Sequence, residues 1–343
     1  MARRPTIADV AREAGVSVAT VDRVLNGRER VREDTARRVY EAAREVGYHA
    51  AALIEQRLKI EMPEIRMGFV LHKERQAFYQ SFAREIAAAA KSASGVRTQL
   101  QIDFSASQSP SETAELLLAM ADKAEVVAAT AVNHPAITAA VSELKARGIP
   151  CFALLSDFAQ GVREGYIGLN NLKVGRVSAW MIATAARGPG KVALFVGGHR
   201  WHGHELREAG FRSYFREAAP QFEVLDTLVN LETRQLTYEA TLDMLRRHPT
   251  VRGIYIAGGG MEGAIAAVRE AREPGEVVLI VNELTPESSA GLADGFVTMV
   301  NGTPLPELCR ELVGQMIRVA GAGPSDLPGQ VFMKQDIYLP ESM

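Results

Sequence analysis

A chain of 343 residues, 47% hydrophobic and 23% charged, buries a sizeable core in more than one domain, which excludes bulk disorder. The formal net charge of −2 is unevenly divided: residues 1–60 carry twelve Lys/Arg against nine Asp/Glu, the remainder 27 against 32. A basic head on an acidic body fits nucleic-acid binding at one end only.

The first elements are three short helices. Thr6 N-caps the first, with Asp9 in the capping-box position, and Ile7, Val10, Ala11 and Ala14 give it one apolar stripe. Gly15 supplies the φ > 0 residue that ends it, and Val16 tucks under the turn. Ser17 caps a second helix with Val21, Val24 and Leu25 inward, stopped by Asn26-Gly27. A third is expected over 33–46, opening on Glu33 and Asp34, facing the others with Ala36, Val39, Tyr40, Ala43 and Val46, and ended by Gly47. Two helices about a Gly-centred turn, the second with an exposed face, predict a helix-turn-helix rather than an ordinary helical hairpin.

The residues Thr6-Ile7, Asp9-Val10-Ala11, Ala14-Gly15-Val16-Ser17, Thr20-Val21 and Arg23-Val24-Leu25-Asn26-Gly27 carry a resemblance. This stretch resembles the headpiece of the LacI family of bacterial transcription regulators. On the second helix, Arg23 is the candidate for bidentate contact with guanine. Val18 and Ala19 fall where the resemblance places base-specifying residues; small and apolar, they suit thymine methyls. Thr6, Ser17, Thr20 and Asn26 complete the expected DNA face, with Ser17, Thr20, Asn26 and the helix N-terminus suited to phosphate oxygens. Asp22 stands where the family commonly has serine, and either accepts from a cytosine N4 or orients Arg23 or another arginine.

Residues 49–62, HAAALIEQRLKIEM, form a helix-prone linker stopped by Pro63. The resemblance implies a hinge helix that wedges a leucine into the minor groove. This chain departs from it: His49-Ala50-Ala51 replaces the usual Pro and Asn, and Arg57 stands at the expected wedge position, with Leu53 and Leu58 nearby. A plain connector helix and a DNA-bending hinge both fit. The expected division is a head over 1–49, a linker over 50–62 and a sensing domain over 63–343.

Beyond the linker, strand-like runs at 65–71, 98–104, 125–131, 151–155, 166–168, 191–196, 222–228, 253–257, 276–281 and 296–300 alternate with helical stretches. The helices are expected at 78–93, 110–121, 135–147, 172–186, 204–219, 238–248, 261–271 and 304–319. The alternation predicts an α/β fold of doubly wound parallel sheets, and ten strands are too many for one sheet, so two lobes with a cleft are expected. The landmarks Gln76-Ala77-Phe78-Tyr79, Ile149-Pro150, Ile167-Gly168-Leu169-Asn170-Asn171 with Gly175, and Arg207 with Gly210-Phe211 resemble the type I periplasmic-binding-protein fold that LacI regulators carry. Cys151 and Cys309 lie in apolar stretches and read as reduced buried thiols. No apolar run follows Arg3-Arg4 and no stretch approaches ~18 continuous apolar residues, so neither a secretory signal nor a membrane span is expected, and the expected compartment is the cytoplasm.

Ligands of parallel sheets sit at strand ends, where aromatics cover sugar rings and amides or carboxylates bond hydroxyls. The candidate effector contacts are Asn133, His134, Asn282, Glu283 and Asn301 after strands, Phe78 and Tyr79 at the start of the first sensing-domain helix, and Glu205. Two departures argue against copying a hexose assignment. Leu155 stands where sugar-binding relatives often have aspartate, and Glu205 where they carry an effector-gripping arginine. A polyol, cyclitol or amine-bearing effector stays open. His199, His202, His204 and Glu205 form a cluster readable as a metal site or, more simply, as a cleft rim. The 258–263 turn, GGGMEG, with Glu283 twenty residues on, fits a dinucleotide fingerprint, the alternative reading as an NAD-type enzyme, but falls late in its domain. The expectation is a homodimeric transcription regulator without enzymatic activity, metal, cofactor or membrane partner. It is expected to be a repressor that binds a double-stranded operator under control of a small sugar, polyol or cyclitol.

Overall fold

The computed structural model describes residues 5–26, 31–52, 54, 62–323 and 329–343. Among these, the residues within 1–65 and 93–99 form one compact unit and those within 66–92 and 100–343 the other.

In the first unit, α1 (Ile7–Ala14), α2 (Val18–Asn26) and α3 (Glu33–Glu45) follow the expected order. Gly15 ends α1 at φ +62°, a conformation costly for residues with a Cβ, and the Val16 N–H reaches back to the Ala11 carbonyl at 3.0 Å. The Asp9 carboxylate accepts from both the N–H and the hydroxyl of Thr6, at 2.9 and 2.7 Å. Val10, Ala11, Ala14, Val21, Val24 and Leu25 pack on Ala36, Val39, Ala42 and Ala43. Tyr40 and Val46 are only partly buried, whereas Ala42, not expected inward, is buried.

Apart from residues 64–65 and 97–99, at the starts of the first two strands, the second unit holds two sheets. One has the order β12-β5-β4-β3-β1-β2, from β1 (Glu64–His72), β2 (Arg97–Ser105), β3 (Val126–Ala129), β4 (Cys151–Leu154), β5 (Gly165–Leu169) and β12 (Gly329–Met333). Its helices are α4 (Ala77–Ser92), α5 (Pro110–Ala119) and α6 (Pro135–Ala146). The other sheet has the order β13-β11-β10-β9-β6-β7, with β8 also on β6. It comprises β6 (Lys191–Val196), β7 (Glu223–Val224), β8 (Leu228–Val229), β9 (Val251–Ile256), β10 (Val278–Asn282), β11 (Met299–Gly302) and β13 (Asp336–Tyr338). Around it stand α7 (Asn171–Ala185), α8 (His202–Ala218), α9 (Arg234–Arg247), α10 (Met261–Ala271) and α11 (Pro286–Ala293). The central strands β3, β4, β5 and β10 are buried at every position because helices cover both faces.

The chain passes between the lobes three times: from β5 into α7, from β11 into α12 (Leu305–Ala322), which packs on α4, and from β12 into β13. The 222–228 run is two two-residue strands rather than one, and α11, β12 and β13 were not expected from the sequence. A buried ion pair fastens β12. Asp157 and Arg163, both 4% exposed, bond at 2.7 Å through Nη2, while Arg163 Nη1 donates to the Gly329 carbonyl and Gln330 to Asp157.

Candidate DNA-reading head and ligand cavity

The outward face of α2 carries Val18, 51% exposed, with Ala19, Arg23 and Asn26 also exposed and Thr20 and Asp22 half-buried. The Ser17 Oγ accepts from the Thr20 N–H at 3.1 Å and shares a 2.8 Å bond with its hydroxyl, so the cap is built as its sequence requires. Thr6 is exposed at the start of α1. Asp22 accepts from the Asn26 amide at 2.7 Å, one turn on, so the carboxylate holds a second member of the same face. Asp22→Ser removes a negative charge facing a polyanion. It is expected to raise non-specific DNA affinity and steepen its fall with salt; an unchanged slope in a salt titration places Asp22 off the interface. Leu53, Arg57 and Leu58 lie outside the described residues.

The second unit encloses a cavity of about 110 Å³ at the carboxyl ends of the parallel strands of both lobes. Phe78 and Tyr79, edge to face at 5.3 Å, enter from the start of α4, and Trp201 from just before α8. Arg207 on α8 is buried, and its described bonds go to uncharged acceptors: Nε to Asn171 Oδ1 and Nη1 to the Ala257 carbonyl, both 2.7 Å. Asn282, at the end of β10, donates to the Ile256 carbonyl at 2.7 Å. Glu283 follows at φ +68° and accepts from the Thr303 N–H and hydroxyl at 3.0 and 2.7 Å. Glu232, at φ +52°, accepts from the Gly259 N–H at 3.0 Å, from Lys73 Nζ at 3.3 Å and from Gln108 at 3.3 Å, so the two lobes meet at its carboxylate. Leu155, which also lines the cavity, has φ +65°. Left-handed backbone at three non-glycine wall residues is strain, which a fold keeps where it fixes side chains for a ligand.

Burial holds the His72 and His204 imidazoles down at about 4, below their ordinary 6.5, so both are neutral at pH 7. Burial pushes Glu283 up. For Glu232 the burial that raises it is outweighed by its neighbours, among them the Lys73 ammonium and the Gly259 N–H, which hold its carboxyl below the usual carboxylate range. Histidines neutral in the fold but free to protonate when unfolded give stability that is full above about 6.5 and is lost as pH falls towards 4. Each contributes a slope of about 1.4 kcal/mol per pH unit in that window. His72→Phe is expected to flatten denaturation midpoints measured between pH 7 and 5; an identical slope in variant and wild type contradicts this.

Residues 6–50 match the family described as bacterial regulatory proteins, lacI family, and residues 67–322 the periplasmic binding protein domain. The chain joins a lacI-family head to a periplasmic binding protein domain. Over 99% of this chain and 96% of the relative it is 24% identical to the HTH-type transcriptional regulator DegA of Bacillus subtilis. It is 49% identical to the HTH-type transcriptional regulator RegA of Clostridium saccharobutylicum over 71 residues, a match spanning 21% of that protein. Among solved structures, GanP, a glucose-galactose binding protein from Geobacillus stearothermophilus, aligns with TM-score 0.72 and 19% identity over 81% of this chain and 99% of that one, a likeness of fold.

Phe78, Tyr79, Asn282 and Glu283 line the cavity; Asn133, His134, Glu205 and Asn301 do not. Asn133 is exposed, and His134 caps α6 by accepting from the Ala136 N–H at 3.1 Å; both lie on a separate shallow surface. Asn301 is buried between Ser178, to which it donates at 3.0 Å, and Gln335, and acts as a crossover strut. Glu205 points to solvent beside His202, because α8 begins at His202 and turns His204, Arg207 and Phe211 inward. The arginine on the cavity wall is therefore Arg207, two positions beyond the departure assigned to Glu205. His199, His202 and His204 do not converge: His204 accepts from the Gly197 N–H at 3.2 Å while His202 faces Glu205. Among the described residues no group of three or more His, Cys, Asp or Glu is placed to hold a metal. In the 258–263 turn the first three glycines line the cavity, but a Cβ on Gly263 would lie 2.1 Å from the Arg234 carbonyl, so that glycine serves helix packing. Thr130, Trp201, Glu232 and Thr303 were missed as site residues, since each reaches the cavity from a loop or strand end with no local pattern of its own. Among the described residues no helix is long and apolar enough to cross a membrane.

Proposed function

We propose that this chain is a DNA-binding transcription regulator, a repressor in its simplest form, whose hold on its operator is set by a sugar or related polyol bound between its lobes. The observation that carries the reading is Arg207. A buried guanidinium with uncharged partners faces aromatic rings and carboxylates in one cavity, in a chain that opens on a helix-turn-helix. Guanidinium and carboxylate bond hydroxyls, and the rings cover the apolar face of a pyranose or furanose. The sugar named for GanP supports the same class. Two heads on a symmetric dimer, acting in the cytoplasm, would match a pseudo-palindromic operator and supply the affinity that one small head lacks. Effector binding closes the lobes and changes the register of the heads, so DNA and effector affinities are linked reciprocally.

Selection of genomic fragments by the purified full-length protein, with and without a sugar panel, tests this. A preferred duplex whose retention changes with one sugar is the expected result; no preference over random competitor under any condition refutes it. On that duplex, Arg23→Ala is expected to remove about 1–3 kcal/mol of discrimination, seen in competition gel shifts as loss of specific over random binding.

A further inference from the structure

Glu232 lines the cavity, yet its carboxylate is already taken up by the protein. Oε1 accepts from the Gly259 N–H at 3.0 Å and faces His204 Nε2 at 3.7 Å. His204 Nδ1 accepts from the Gly197 N–H, so the proton of its neutral ring sits on Nε2, towards the carboxylate. Oε2 accepts from Lys73 Nζ and from Gln108 Nε2, both at 3.3 Å. A carboxylate offers about four lone-pair sites, and protein groups stand at all of them. Glu232 is therefore a fastening rather than a ligand contact.

What it fastens is one lobe to the other. Lys73 follows β1 and Gln108 follows β2, whereas Leu231 and Glu232 follow β8. Beyond the two bonds to Oε2, Lys73 Nζ donates to the Glu232 carbonyl at 3.1 Å and Gln108 Nε2 to the Leu231 carbonyl at 3.4 Å. The ion-paired side chains are 18% and 12% exposed, so solvent screens them little. The backbone is strained at this same junction: Lys73, Leu231 and Glu232 have φ of +45°, +49° and +52°. Left-handed non-glycine residues persist only where surrounding contacts over-determine them, as in clamps and switches. A further bond crosses the cleft without any of these residues, from the Asn133 N–H to the Arg200 carbonyl at 2.8 Å. Each of these bonds joins one protein group to another and needs no third molecule.

We propose that Lys73 and Gln108, which lie outside the cavity wall, are positioning residues that latch Glu232 across the cleft, so that a sugar enters or leaves only when this latch releases. The clause on entry and exit rests on the effector reading above; the latch itself does not. Removing Lys73 leaves a buried carboxylate without its cation, which weakens the junction by more than the pair is worth. The latch is present with or without a sugar in the cavity, so its loss destabilises the free and the bound closed forms alike. Rates of association and dissociation then rise together, and affinity changes little.

Hydrogen exchange of the full-length protein without added sugar tests the latch, read at the Asn133 amide and over residues 229–233, with residues 264–268 inside α10 as reference. Lys73→Met is expected to speed exchange at Asn133 about 10-fold or more and Gln108→Ala about 2- to 5-fold, with the reference unchanged. Lys73→Arg, which restores the cation, is expected to stay within about threefold of wild type. Leu231→Asn is expected to slow exchange, because its side chain is 52% exposed and asparagine adopts the left-handed backbone more readily. Unchanged exchange at Asn133 in both Lys73→Met and Gln108→Ala overturns the latch. So does an equal rise in the reference residues, which would mark global destabilisation; should Lys73→Met not fold, Gln108→Ala decides the same question. Stopped-flow tryptophan fluorescence with D-glucose, D-galactose and D-arabinose reads entry and exit, since Trp201 lines the cavity. For a sugar that binds, both rates are expected to rise about 10-fold in Lys73→Met, with their ratio within about threefold of wild type. Rates equal to wild type overturn the gating and leave the effector reading standing. No response to any of the three sugars, by fluorescence or thermal shift, overturns the effector reading and the gating with it, while exchange still decides the latch.

Discussion

Arg207→Ala is expected to abolish the effector response while leaving operator binding intact. The guanidinium is buried, lines the cavity and is held in place by Asn171 and the Ala257 carbonyl, so nothing else on α8 can replace it. Among the described residues that line the cavity, Arg207 is the one Lys or Arg, so removing it strips the ligand of that cationic donor. The expected loss is at least about 100-fold in affinity for the sugar that stabilises the wild type, or about 2.7 kcal/mol. Arg207→Lys keeps the charge but not the planar fork, and is expected to recover only part of it. Calorimetry with each variant, beside gel shifts on the operator, separates the two functions. Sugar affinity within threefold of wild type in Arg207→Ala would show that the ligand sits elsewhere.

Gly175→Ala is expected to be among the most destabilising single-methyl changes in the second unit. A Cβ on Gly175 would lie 1.9 Å from the Arg207 carbonyl, and one on Gly210 2.1 Å from that of Leu172, so α7 and α8 are packed backbone against backbone. The obstacle is main chain and cannot swing aside. Separating the two helices costs about 3 kcal/mol. Because α7 carries Asn171 and α8 carries Arg207, the same substitution should also impair sugar binding. Denaturant titration measures the first effect and calorimetry the second. A variant as stable as wild type would mean that the helices stand further apart than described.

The head was legible because its signals are local. A capping carboxylate at Asp9, a left-handed glycine at Gly15 and a stripe through Val21, Val24 and Leu25 each act within a turn or two of themselves, and the helices formed where those residues place them. The same is true of the parallel strands, whose uninterrupted apolar runs need cover on both faces. The cavity was legible only where a strand ends on a recognisable residue, as at Asn282 and Glu283, or where a helix starts on aromatics, as at Phe78 and Tyr79. Glu232 had no such mark. Its role comes from Lys73 and Gln108, more than a hundred residues away, and from a left-handed backbone that no glycine announces. Glu205 was misplaced for a simpler reason: on a helix beginning at His202, a shift of two residues exchanges the wet face for the dry one. β12 escaped notice because its residues are largely exposed and it is held by Arg163 and Gln330 rather than by an apolar face.

The three passages between the lobes bear on how the protein is made. The sheet that begins with β1 receives its outer strand, beside β5, only after residue 329 has been synthesised, and the other sheet gains β13 later still. During translation both sheets wait with an open edge for their last strands, while the helices of the head, finished within the first 45 residues, have no such dependence. Nascent chains arrested before residue 329 should therefore expose a β5 edge that recruits chaperones, and neither lobe can be excised as a continuous segment without losing a strand.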